Sequence, residues 1–110
     1  MTIAKRVVLV VALLFSAGAS VKASPILFLV RHAEKATTGG NDPELSAAGQ
    51  QRAEALARIL KDSEITAIFT TEFKRTQETA APTARATQIT PTIVPANDIP
   101  GLVEKVRNRE

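Results

Sequence analysis

An α/β fold, with a parallel or at most mixed sheet and flanking helices in the order β-α-β-α-β-α, is predicted from three observations in this 110-residue chain. The first is the unbroken apolar run Ile26-Leu27-Phe28-Leu29-Val30, which suits a strand covered on both faces. The second is the stripe Ala53, Leu56, Ala57 and Leu60, whose i, i+3, i+4, i+7 spacing marks one face of a helix. The third is the alternation that follows, each apolar run being succeeded by a helical segment, as right-handed crossovers between parallel strands require.

The elements follow in order. Before the first strand, residues 1–23 place Lys5 and Arg6 ahead of the apolar run Val7 to Phe15 and a tail of small residues, the layout of a secretory signal peptide. Cleavage is expected after Ala23, leaving a domain from 24 to 110 with a periplasmic or secreted address. The run falls short of the roughly 20 apolar residues a membrane span needs, so no stable anchor is expected after cleavage. Thr37 to Pro43 is rich in turn formers, and Ser46 is placed to cap a helix ending near Lys61. Ile65 to Thr71 reads as a second strand. Glu72 to Ala86 reads as a second helix, with a kink or break expected at Pro82 because proline lacks the helix donor and crowds the preceding turn. Thr92 to Val94 reads as a short third strand, and Pro100 to Arg109 as a last helix with Leu102, Val103 and Val106 on one side. The chain then stops on a helix with its last crossover unfinished, so an N-terminal fragment of a larger domain is expected.

Charge removes one class of partner. Of the 14 basic residues, Lys5, Arg6 and Lys22 lie in the leader, and those that remain balance the 11 acids. The basic overall balance is therefore a property of the leader, and nucleic acid is not an expected partner. The absence of cysteine rules out disulfides, thiolate chemistry and a lipidated cysteine anchor. Scattered carboxylates around one histidine lack metal-ligand spacing, and Gly39-Gly40 lacks the context of a phosphate loop, so neither metal nor other cofactor is called for.

The chemistry concentrates at predicted strand ends. Arg31 and His32 follow the first strand; Thr70, Thr71, Glu72 and Arg75 follow the second. Parallel strands share one carboxyl edge, where open α/β sheets bind ligands, so the topology is expected to bring Arg31, His32 and Arg75 to one rim. Arginine forks match the paired oxygens of a phosphate. A histidine between them is suited to attack phosphorus in line and carry the phosphoryl group through a covalent intermediate. The start of the helix near Lys74 is expected to add N–H groups and positive dipole character.

RHAEK (Arg31 to Lys35), DPELSAAGQQRAEAL (Asp42 to Leu56) and IFTTEFKRTQETA (Ile68 to Ala81) together resemble the histidine phosphatase superfamily, also called phosphoglycerate-mutase-like. The resemblance implies that fold, a phosphorylated nucleophile at His32, and phosphate binding by Arg31 and Arg75. Asp42 to Gly49 corresponds to the family's loop and helix start. The family's second catalytic histidine has no counterpart here, since His32 is the sole histidine. No general acid is identified by motif. Glu34, Asp98 and Glu104 are the carboxylates weighed for that part, and Glu34 and Thr71 remain possible site residues.

The function expected is hydrolysis of phosphomonoesters, or related phosphoryl transfer, by an exported enzyme whose partner is a phosphorylated small molecule or an envelope phosphate group. Two other classes stay open: a phosphate-binding module without turnover, and a structural envelope protein whose arginines are surface charge.

Overall fold

Ser46 starts the first helix of the computed structural model, which describes residues 25–109. Its backbone is extended and its hydroxyl accepts the Gly49 N–H at 3.1 Å, satisfying one of the donors a helix start leaves unpaired. Helix α1 (Ala47–Leu60) then buries Gly49 together with Ala53, Ala57 and Leu60, three of the four residues of the predicted stripe, leaves Leu56 half-buried, and closes on Lys61. Strand β1 (Phe69–Thr70), helix α2 (Lys74–Thr87) and strand β2 (Thr92–Ile93) follow. The two strands pair in parallel, Phe69 beside Thr92 and Thr70 beside Ile93, so α2 is the crossover of a β-α-β unit. Helix α3 (Ile99–Arg107) begins at Asp98, whose carboxylate accepts the Gly101 N–H at 3.0 Å.

Helices α1 and α2 pack along one another. The α1 face is largely alanine and the buried α2 residues are Thr79, Pro82 and Thr83, so small side chains meet and the axes can approach closely. Ala33, Leu45 and Ala53 form a buried cluster beside this seam. The loop that carries Ala33 and Leu45 is closed by backbone bonds, Ala36 N–H to Glu44 carbonyl at 2.8 Å and Ser46 N–H to Glu34 carbonyl at 2.9 Å. The residue after His32 is thus held in the core.

Three expectations are corrected. Ile26 to Val30 forms no strand with any of the described residues, and its side chains are exposed, Leu29 by 90%. A strand exists only where a neighbour takes its backbone groups, and the β1–β2 pair does not include this run. The second and third strands are shorter than the apolar patterns suggest, because only the residues that face each other complete a ladder. Helix α2 runs through Pro82 without ending. Proline there has no N–H for the carbonyl of Glu78, but burial of its ring against the helical seam compensates. The expected leader and its cleavage point lie outside the described residues. No helix among the described residues is long and apolar enough to cross a membrane.

Candidate functional site

His32 is partly buried, and its Nδ1 lies 2.8 Å from the Ala33 carbonyl oxygen. A carbonyl can only accept, so Nδ1 carries the proton. In the neutral ring the lone pair is then on Nε2, the nitrogen free to attack. Ala33 is engaged at its other end too: its N–H donates to Thr79 Oγ1 at 2.9 Å, in a buried bond. The Thr79 hydroxyl in turn donates to the Arg75 carbonyl at 2.6 Å. Two hydrogen bonds therefore join the backbone following His32 to the first turn of α2, where Arg75 sits.

The guanidinium of Arg75 lies over the Phe73 ring, 4.2 Å from its centroid, a cation–π contact that limits its freedom. Arg31 is exposed and lines a groove with Arg52, Leu56 and Ile59 of α1 and Thr79 of α2. Neither His32 nor Arg75 lines that groove. The structure thus ties the His32 loop to the turn bearing Arg75, while Arg31 faces α1.

Glu34 pairs with Arg52 at 2.6 Å. A hydrogen bond from its own backbone holds the carboxyl below the usual carboxylate range; slight desolvation opposes this, and Arg52 reinforces it. The Glu34 carboxylate is thereby engaged with α1 through Arg52. Thr71 brackets the turn into α2: its N–H donates to Thr76 Oγ1 at 3.0 Å, its hydroxyl meets that of Thr76 at 2.9 Å, and the Phe73 N–H donates to it at 3.3 Å. Asp98 caps α3, and Glu104 lies exposed on it.

The expected open helix start near Lys74 is not found. Phe73, at the cap position, makes no side-chain cap, and Asp42 supplies one from 32 residues earlier, accepting the Lys74 N–H at 2.9 Å. A carboxylate already occupies the end of the helix where a phosphate would be favoured.

The Asp42–Gly49 motif thereby acquires structural roles. Asp42 caps α2, Leu45 enters the core and bridges to Lys35, and Ser46 caps α1. Gly49 lets the Glu34 backbone lie against α1, since a Cβ there would overlap the Glu34 carbonyl. Sequence reasoning missed Thr79 and the Glu34–Arg52 pair. Glu78 joins the same loop to α2: its Oε1 accepts from the Leu45 N–H at 3.3 Å and the Gln50 amide at 3.0 Å. A threonine one turn after Arg75, on the buried face, was the signal available for Thr79. Among the described residues no group of three His, Cys, Asp or Glu is placed to hold a metal ion.

A parallel β-α-β unit whose crossover helix is hydrogen-bonded to the loop after His32 is an α/β arrangement of the phosphoglycerate-mutase-like class. Solved structures agree: an Agrobacterium tumefaciens protein assigned as the phosphohistidine phosphatase SixA aligns with a TM-score of 0.55 at 21% identity, covering 73% of this chain and 58% of that one. The mycobacterial glucosyl-3-phosphoglycerate phosphatase Rv2419c aligns at 0.52 and 23%, covering 57% and 32%. The profile of the histidine phosphatase superfamily (branch 1) matches residues 27–104, and the chain belongs to that superfamily. It spans about a third of the mycobacterial structure and under two thirds of the other. No curated protein matches it.

Proposed function

We propose that this chain holds the nucleophile and phosphate grip of a phosphomonoester hydrolase, or a related phosphoryl-transfer enzyme, acting through a phosphohistidine on His32. The observation that carries the reading is the Nδ1–H bond to Ala33, which leaves the Nε2 lone pair free while Thr79 ties the same loop to Arg75.

In the proposed reaction, Nε2 attacks phosphorus in line with the ester oxygen. The N–P bond forms, the P–O bond breaks, and the alcohol leaves after taking a proton from an acid or water. Phosphorylation makes the ring cationic, and the Ala33 carbonyl stabilises that charge through Nδ1–H. Water then attacks the phosphoryl group, the N–P bond breaks, and inorganic phosphate departs with the imidazole restored. Arg31 and Arg75 are assigned the equatorial oxygens, for which a guanidinium fork is suited, and Arg31 reaches them by turning out of its groove on α1. Arg75 must leave or tilt from Phe73 to do so, or grip from that stacked position. Thr71 orders the turn below Arg75, and Glu34 holds the loop through Arg52.

Glucosyl-3-phosphoglycerate for one structural neighbour and phosphohistidine for the other share only the phosphoryl group. That group, on a small molecule or in the envelope, is the substrate class proposed here. The charge-apolar-small order of residues 1–23 supports a periplasmic or secreted address.

A phosphate-binding module without turnover is the second reading, favoured by His32 being the only histidine of the 110 residues. An aryl phosphate separates the two. Turnover that disappears in His32→Ala supports the enzyme; phosphate binding without turnover, unchanged in His32→Ala, supports the module.

A further inference from the structure

We propose that Thr79 is a positioning residue for phosphoryl transfer, fixing the tautomer and orientation of His32 through Ala33 and tying that ring to the turn bearing Arg75. The proposal rests on the phosphohistidine reading for its functional meaning, though the ring geometry it asserts is measurable without turnover.

A buried threonine inside a helix ordinarily returns its hydroxyl proton to the carbonyl four residues back. Thr79 does so, to Arg75 at 2.6 Å, and this fixes the direction of its oxygen lone pairs. One of them takes the Ala33 N–H at 2.9 Å across 46 residues of sequence. Ala33 then presents its carbonyl to His32 Nδ1 at 2.8 Å. The N–H and the carbonyl of Ala33 lie in the two peptide planes that meet at its Cα, and the buried Ala33 fixes the angle between them. The hydroxyl at 79 anchors the first plane and so sets where the second presents its carbonyl to the ring.

Two threonines further along α2 give the contrast. Thr87 makes the same backward bond, to Thr83 at 2.8 Å, but lies near the helix end. Thr83 is as buried as Thr79, one turn on, yet its hydroxyl has no hydrogen-bond partner. Burial on this face therefore does not itself require a hydroxyl. What distinguishes Thr79 is the peptide it holds.

The test compares Thr79→Val, which keeps the shape and removes the hydroxyl, with Thr79→Ser, which restores it, and Thr83→Val as a buried control. Nitrogen NMR of the neutral His32 ring reports which nitrogen bears the proton. Wild type, Thr79→Ser and Thr83→Val are expected to show the proton on Nδ1, and Thr79→Val a mixture of tautomers. Phosphorylation of His32 by phosphoramidate should slow about tenfold in Thr79→Val, the size of one lost hydrogen bond, and recover in Thr79→Ser. Binding of inorganic phosphate should change less than the rate does. A folded Thr79→Val with the wild-type ring spectrum overturns the proposal, as does Thr79→Ser behaving like the valine variant. Should Thr79→Val fail to fold, hydrogen exchange of the Ala33 amide in wild type decides: protection is expected, and exchange as fast as in an open loop overturns it. Absence of any His32 phosphorylation in wild type would refute the phosphohistidine reading alone, because the ring spectra still report whether Thr79 sets the tautomer.

Discussion

At the scale of single residues, the proposed chemistry depends on one imidazole and its immediate hydrogen bonds. The sequence marks His32 and Arg75 by their places after apolar runs, and the structure adds what spacing cannot convey: Nδ1 is engaged, so Nε2 is the free nitrogen. Replacing Arg75 by lysine keeps the charge and loses the fork, so phosphate affinity should fall about tenfold, measurable by calorimetry. Glu34 gives the opposite kind of prediction. Its carboxyl is held below the usual range chiefly by its own backbone N–H, with Arg52 assisting. Such a lowered group contributes stability above its unfolded-state pKa and loses it as pH falls through the folded one. The melting temperature of Glu34→Gln should therefore fall less steeply than that of wild type below the carboxylate range. Its phosphorylation rate at neutral pH should stay within about threefold of wild type, whereas loss of a general acid costs on the order of a hundredfold or more. These partnerships were illegible in sequence because Glu34 and Arg52, or Ala33 and Thr79, meet only after α1 and α2 have packed.

At the scale of elements, the two loop-to-helix junctions carry the arrangement. Asp42 caps α2 because Phe73, which occupies the cap position, has no oxygen to offer. Asp42→Ala should cost about 1 kcal/mol, the usual loss for a capping carboxylate, read as a shift in the denaturant midpoint. Gly49→Ala should cost more, about 1–3 kcal/mol, since the methyl meets a backbone carbonyl of Glu34 that cannot swing aside. An unchanged midpoint for Gly49→Ala would mean that the Glu34 backbone does not lie against α1. Helix α1 was legible in sequence from its serine cap and apolar stripe, and α3 from its apolar side alone. Helix α2 was legible in extent but not in continuity. Its proline reads as a break only if the surroundings do not matter, and burial of Pro82 on the seam with α1 decides otherwise. The open helix start expected at Lys74 failed for a related reason: a capping residue 32 positions away leaves no local mark.

At the scale of the whole molecule, the α/β class and the parallel pairing follow from alternation, whereas strand extent does not. Ile26 to Val30 has the composition of an interior strand, yet these side chains are exposed and no described strand flanks them. Hydropathy reports what a segment would bury and is silent on whether a neighbour is present. A run of five exposed apolar residues without charge favours association between chains. Leu29→Lys should lower self-association, seen by light scattering, while shifting stability by no more than about 0.5 kcal/mol, because Leu29 is 90% exposed. The topology that brings the His32 loop to the first turn of α2 underlies the whole functional account. Its most direct test is to treat the chain with phosphoramidate, quench in alkali, and locate the acid-labile phosphoryl group by fragmentation mass spectrometry and phosphorus NMR. A single phosphoryl group on His32, attached through Nε2 and missing from His32→Ala, is expected. A group on Nδ1, or labelling that persists in His32→Ala, would contradict the proposed mechanism.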